Sequence, residues 1–204
     1  MQARRRVVLA TNNLGKLREM QALLEPLGME ILAQSEFDVF PVAETGHSFV
    51  ENAIIKARHA AKATGLPAIA DDSGLLVDIL DGAPGIYSAR FAGINATDAE
   101  NLELLIRQVD AAGLPQPAAR FHCAMAYLCD AGDTVPVLSQ ASWRGHIVTR
   151  PRGSNGFGYD PIFFVPTHQC TSAELPPAVK NRISHRGQAM VKLLKELTAE
   201  MGDH

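Results

Sequence analysis

Two hydrophobic periods alternate along the chain. Val7-Val8-Leu9-Ala10 is an unbroken apolar run, the pattern of a strand buried on both faces. After the polar stretch Thr11-Asn12-Asn13-Leu14-Gly15-Lys16 the period becomes helical. Leu17, Met20, Leu23, Leu24 and Leu27 share one face, and Gly28 closes it. Glu30 to Ala33 predicts a second strand, and Phe37 to His47 a loop broken by Pro41 and Gly46. Ser48-Phe49-Val50-Glu51 is a capping-box pattern for a mixed-faced helix reaching about Thr64, before Gly65 and Pro67.

Ala68 to Ala70 starts a further strand, which Asp71 and Asp72 interrupt. The pattern predicts a strand delivering charge to its end, with Gly74 allowing a tight backbone and a strand-like segment resuming from Leu75 to Leu80. Gly82 to Gly85 breaks it. Thr97 to Glu100 is a second capping box, opening a helix marked by Leu102, Leu105, Ile106 and Val109. Arg120 to Leu128 alternates as a long strand and Asp130 to Asp133 suits a hairpin turn. Val135 to Val148 returns as a strand with a break near Gly145, and His122 reads as structural. A glycine-rich loop, Pro151 to Pro161, leads into a strand from Ile162 to Val165. Ser184-His185-Arg186-Gly187 precedes an amphipathic helix with Met190, Val191, Leu194 and Leu197. The class is α/β.

Length and composition narrow this further. A chain of 204 residues without repeats or a clear linker fits a single domain, residues 1–204, with room for two lobes. A net charge of −3 argues against coating a nucleic-acid backbone but allows a local basic pocket. Cys123, Cys129 and Cys170 have neither paired nor metal-type spacing, which suggests buried thiols in a reducing compartment. The basic start, Met1 to Arg6, is followed by only four apolar residues, and no apolar stretch spans a bilayer. A cytoplasmic protein without a membrane partner is expected.

The candidate chemistry lies where strands meet loops. Thr11 to Lys16 sits between a strand end and a helix N-terminus, where open α/β sheets bind ligands and helix dipoles favour anions. It reads as a phosphate cradle or as a helix cap, and its spacing excludes a P-loop. The adjacent Asp71 and Asp72 repel each other, a conflict that Mg²⁺ relieves; the other reading is a solvated turn. Glu51 is either the capping carboxylate or aimed at the same metal. Phe157 and Tyr159 suit stacking on a base, with Asp160 reading its polar edges, unless the loop is an ordinary connection. The cations His185 and Arg186 are disfavoured at a helix start, so either an anion is held there or the turn is solvated; Lys180 lies just upstream. No Ser-His-Asp or Cys-His set is visible, so direct attack by water is the simpler route.

Taken together, these segments resemble the inosine triphosphate pyrophosphatase family, the XTP/dITP diphosphatases. The matching stretches are Thr11 to Lys16, Glu44-Thr45-Gly46 with Phe49 to Ala53, Ala70 to Leu75, Gly82 to Phe91, Gly156 to Pro161, and Ser184-His185-Arg186. They follow the family's order over nearly the whole chain. The resemblance implies a long mixed central sheet flanked by helices, two lobes with a cleft between them, and a homodimer. It also implies Mg²⁺-dependent cleavage of ITP, dITP and XTP to the monophosphate and pyrophosphate, cleansing the nucleotide pool.

Carried over residue by residue, Thr11, Asn12, Asn13, Leu14, Gly15 and Lys16 hold the phosphates. Asp72 is the proton acceptor for the attacking water and a metal ligand, and Ser73 touches the substrate. Phe157, Gly158, Tyr159 and Asp160 hold the base, and Lys180, His185 and Arg186 complete the pocket. Where the family often has two acidic residues before Thr-Gly, this chain has Ala43-Glu44, so Glu44 is the second metal candidate. A pocket of backbone donors and a positive side chain favours a 6-oxo purine over adenine. The competing readings are a pyrophosphatase for modified pyrimidine or methylated nucleotides, and a non-catalytic nucleotide sensor.

Overall fold

The computed structural model describes residues 6–24 and 29–202. In chain order the regular elements are β1 (Arg6–Leu9), α1 (Leu14–Leu24), β2 (Glu30–Ala33), α2 (Phe49–Thr64), β3 (Ala68–Val77) and α3 (Asp98–Ala112). There follow β4 (Ala118–Leu128), β5 (Val137–Ile147), β6 (Phe163–Val165), β7 (Cys170–Thr171), α4 (Pro177–Ile183) and α5 (His185–Gly202). Leu27 and Gly28, expected to close the first helix, lie outside the described residues, as does the side chain of Leu23.

Among the described residues seven strands form one mixed sheet in the order β2-β1-β3-β4-β5-β6-β7. β1 runs parallel to β2 and to β3, which requires crossovers, and α1 and α2 supply them. β6 is antiparallel to both β5 and β7. The chain divides into two compact units. The first comprises Met1–Asp72, Cys123–Ala141 and Arg186–His204, the second Ser73–His122 and Ser142–His185.

In the first unit the strands are covered on both faces, which is why β1 reads as a continuous apolar run. Side chains alternate across a strand. Val7, Leu9 and Ile69 pack with Met20 and Leu24 of α1 and with Ala189, Met190 and Leu193 of α5. Val8, Ala10, Ala68 and Ala70 face α2 through Ala53, Ala57, Ala60 and Ala61. The Ser48 hydroxyl caps α2 by accepting the Glu51 N–H, and Gly65 ends it in the left-handed conformation. Only half of the expected capping box forms, because the Glu51 carboxylate accepts from the His47 N–H at 2.6 Å instead.

In the second unit a core of Leu75, Val77, Leu105, Val109, Phe121, Trp143, Ile162 and Phe163 lies beneath α3. The Thr97–Glu100 capping box forms completely. β5 runs unbroken through Gly145, where a Cβ would collide with the Phe164 carbonyl and the Phe163 ring, so the glycine marks close approach rather than a break.

The main departure concerns the paired aspartates. β3 does not end at them: it runs ten residues from Ala68 to Val77 with Asp71 and Asp72 in its middle, and the segment beyond, Asp78–Leu80, is a 3₁₀ turn. The pleat therefore sends the two carboxylates to opposite faces of the sheet, and the crowding inferred from adjacency does not arise.

Candidate active site

Asp71 points toward α1 and α5 of the first unit. Its side chain is fully buried, Lys16 Nζ lies 2.9 Å from Oδ2, and Arg186 Nε lies 3.6 Å from the same oxygen. Burial by itself pushes this carboxyl up, but the charges of Lys16, Arg186 and Lys56 outweigh it and hold Asp71 well below the usual carboxylate range. Arg186 also pairs with Glu19 of α1. The charge of Arg186 at the start of α5 is thus met by the carboxylates of Glu19 and Asp71.

Asp72 points the other way, toward α2. Oδ2 accepts from Asn52 Nδ2 at 3.1 Å and Oδ1 from Lys56 Nζ at 3.0 Å. The same ammonium donates to Glu44 Oε1 at 2.7 Å. Asn52 in turn accepts the Gly46 N–H, so the Glu44-Thr45-Gly46 loop is tied to the helix that carries Lys56. Burial raises the Asp72 pKa against the pull of Lys56 and Lys16, and Glu44 adds to the rise. Burial opposes charge on Lys56, but Asp72, Asp71 and Glu44 together raise its pKa. Asp72 is therefore the more basic carboxylate of the two, as a proton acceptor needs to be.

Glu44 and Asp72 share one cationic centre. Two hard oxygen donors facing a common positive charge suit Mg²⁺, which binds one or two protein carboxylates and completes its shell with water and phosphate oxygens. Among the described residues no group of three or more His, Cys, Asp or Glu side chains is placed to hold a metal. Glu51, exposed and bonded to His47, and Asp71, on the opposite face, are not part of this arrangement.

The Thr11 to Lys16 stretch is both loop and helix start. Asn13 Oδ1 accepts the N–H groups of Gly15 and Lys16 at 2.9 and 3.0 Å, capping α1. Two of the backbone donors expected to meet phosphates are thus engaged, and the Lys16 ammonium pairs with Asp71. Asn12 Oδ1 accepts from Gln34 at 2.6 Å, and the Thr11 hydroxyl accepts the Asn13 N–H. Leu14 is largely exposed.

The second unit holds the glycine-rich loop. Asp160 is buried, and both of its oxygens are engaged: Oδ1 accepts from Ser172 Oγ, and Oδ2 from the Phe157 N–H and from Lys180 Nζ at 2.6 Å. Its carboxylate shapes the loop rather than being presented for a base edge. At Gly156, with φ of +81°, a Cβ would collide with that carboxylate. Lys180 Nζ sits 5.1 Å above the Phe157 ring. Tyr159, expected to stack on a base, is packed in the core at 5% exposure, and its hydroxyl donates to the Ser88 carbonyl at 2.8 Å. His185 is buried in an aromatic stack, parallel to Phe121 at 4.8 Å between ring centroids. Ser73 follows Asp72 in β3 and is half-buried.

The family model that matches this chain is that of the Ham1 family, over residues 7–196.

The chain belongs to the Ham1 family.

It is 57% identical over 196 residues to a dITP/XTP pyrophosphatase of Vibrio parahaemolyticus, covering 96% of this chain and 98% of the relative. It is 54% identical over 192 residues to one of Coxiella burnetii, covering 94% and 96%. A solved Ham1 structure from Coxiella burnetii superimposes with a TM-score of 0.88 at 53% identity, covering 96% of this chain and 99% of that one. The Staphylococcus aureus Ham1 protein gives 0.83 at 39%, covering 96% and 100%.

Within this Ham1 chain, sequence reasoning missed Glu19, Asn52, Lys56, Ser88 and Ser172. Three carried a usable signal. Asn52 and Ser88 stand inside stretches already singled out, and Lys56 follows Asn52 by one helical turn, so both face the same side of α2. Ser172 and Glu19 meet their partners only through the fold.

Proposed function

We propose that this chain hydrolyses ITP, dITP and XTP to the nucleoside monophosphate and pyrophosphate. The observation that carries this is identity above 50% along nearly the full length to relatives named dITP/XTP pyrophosphatase. The site geometry supports it. Asp72 accepts the proton of the attacking water, and its raised pKa favours that role. Asn52 orients the carboxylate, and Lys56 and Lys16 bring positive charge toward the triphosphate. Glu44 and Asp72 would hold Mg²⁺, which when bound neutralises phosphate charge. Ser73 touches the substrate. Asp71 keeps Lys16 and Arg186 in place by charge.

In the second unit the 156–160 loop receives the base through the Phe157 ring, with Asp160, Lys180 and Asp98 fixing the loop's shape. The Lys180 ammonium over the Phe157 ring is a donor that a 6-oxo purine meets and the amine of adenine does not. His185 supports the site by its stack on Phe121. A homodimer acting on the cytoplasmic nucleotide pool belongs to the same proposal; among the described residues no helix is long and apolar enough to cross a membrane.

The test is product identity. In ¹⁸O-water, dITP should give dIMP and pyrophosphate with label in one product and no enzyme-bound intermediate. Sequential release of single phosphates would overturn the reading.

A further inference from the structure

The stretch Gly82 to Phe91 has no part in the chemistry described above, yet it is tied tightly to residues that do. All of the following contacts lie within the second unit. Val77 N–H donates to the Ala83 carbonyl at 3.1 Å, and Leu76 bridges to Pro84, so the turn is pinned to β3. A 3₁₀ segment, Gly85–Arg90, follows with Ser88 buried in it.

Ser88 uses both of its oxygens. Its hydroxyl donates to the Gly85 carbonyl at 2.6 Å and accepts the Leu75 N–H at 2.9 Å, two residues beyond Ser73 in β3. Its carbonyl accepts the Tyr159 hydroxyl at 2.8 Å. Tyr159 stands between Gly158 and Asp160 in the glycine-rich loop. Asp98, in the first turn of α3, holds the same loop by accepting the Gly158 N–H at 2.8 Å. Asn101, one turn further along α3, donates to the Ala89 carbonyl and accepts the Ala92 N–H, fixing the segment that carries Ser88.

We propose that Ser88 is a positioning residue for base recognition, setting the 156–160 loop relative to β3 through the Tyr159 hydroxyl and the Leu75 N–H. The inference rests on the base-binding role given above to that loop. Physically, the Tyr159 ring is fixed by the core, so its hydroxyl is a rigid tether. A buried donor left without its acceptor is costly, which gives the loop one preferred position. Burial, with a smaller contribution from Asp98, pushes the phenol pKa up, so the hydroxyl stays a donor through the physiological range. The tether touches no substrate. Its loss loosens the base pocket and leaves Asp72 and its partners as they are.

Steady-state pyrophosphate release from dITP and XTP by Tyr159→Phe, Ser88→Ala and the double variant tests this. Tyr159→Phe, which breaks one buried hydrogen bond, should raise KM about tenfold with kcat within about twofold of wild type. Ser88→Ala keeps the carbonyl that Tyr159 meets but cuts the hydroxyl's two bonds to Gly85 and Leu75, and should raise KM at least as much with kcat equally little changed. Because these links lie in series between β3 and the loop, the double variant should raise KM by far less than the product of the single effects. Unchanged KM with a lower melting temperature, a loss confined to kcat, or fully multiplicative effects would each overturn the inference. Tyr159→Phe removes a single oxygen and decides the matter alone if Ser88→Ala does not fold. A wild type that leaves dITP and XTP intact overturns the parent reading, and this one with it. A wild type that cleaves them while both variants keep its KM overturns only the role of Ser88.

Discussion

Asp71 and Asp72 are neighbours in sequence with opposite surroundings, and exchanging each for asparagine separates stability from chemistry. Asp71→Asn removes the fully buried charge that Lys16 and Arg186 both face. Breaking a buried pair by removing one partner costs about 3–5 kcal/mol. The introduced amide oxygen can still accept from Lys16, and Arg186 retains Glu19, so the low end applies, about 3 kcal/mol. For a chain of this size each kcal/mol moves Tm by about 2–4 °C, so Tm should fall by roughly 6–12 °C. Asp72→Asn costs less stability. The Asp72 pKa is raised on folding, so at neutral pH its charge is held at a cost; removing it offsets the amide N–H then facing Asn52 or Lys56, and Tm should fall by less than in Asp71→Asn. Loss of a general base should lower turnover at saturating substrate by at least about a hundredfold. The assays are calorimetry at pH 7 and kcat for dITP. An Asp71→Asn protein that melts like wild type but loses turnover as Asp72→Asn does would refute this division of roles.

Other consequences are simpler to read. Lys180→Met leaves the buried Asp160 carboxylate without its cation and should cost about 3–5 kcal/mol in urea unfolding, partly recovered in the Asp160→Asn/Lys180→Met double variant. EDTA should abolish pyrophosphate release and Mg²⁺ restore it; full activity after rigorous chelation would remove the metal from the proposal. Cys123 should stay unlabelled by a thiol reagent until the protein unfolds, since burial, with the Asp71 charge adding to it, pushes its thiol far up. In a Cys170→Ser background, the labelling rate of exposed Cys129 should keep climbing above the ordinary thiol pKa. Asp133→Asn should shift that climb to lower pH, because the Asp133 hydrogen bond and charge raise the Cys129 pKa.

Much of the frame is legible in the sequence because its signals are local. The apolar run at Val7, the capping boxes at Ser48 and Thr97, and the alternation from Arg120 each report a neighbourhood of a few residues, and elements form there. The aspartate pair was misjudged for a related reason. Adjacency suggests crowding, but in a strand adjacent side chains diverge, so each carboxylate finds its own cation from a different helix. The same limit hides Glu19 behind Arg186 and Ser88 behind Tyr159, pairs 167 and 71 residues apart. Phe157 and Tyr159 look equivalent two residues apart, but only Tyr159 is absorbed by the core. His185 illustrates the converse: its sequence position suggests only charge at a helix start, and the parallel stack on Phe121 becomes visible only in the fold.

The most direct test of the central claim is kcat/KM for pyrophosphate release, with Mg²⁺, across ITP, dITP, XTP, dATP, dGTP, dUTP and dTTP. ITP, dITP and XTP should exceed dATP by at least about a hundredfold, because the adenine amine leaves the pocket's donor unpaired; they should also exceed dGTP, whose 2-amine must be buried in the pocket, and dUTP and dTTP. Comparable cleavage of dUTP or dTTP would favour a pyrimidine enzyme. Nucleotide binding without pyrophosphate release would make the protein a sensor, and either result would contradict the account.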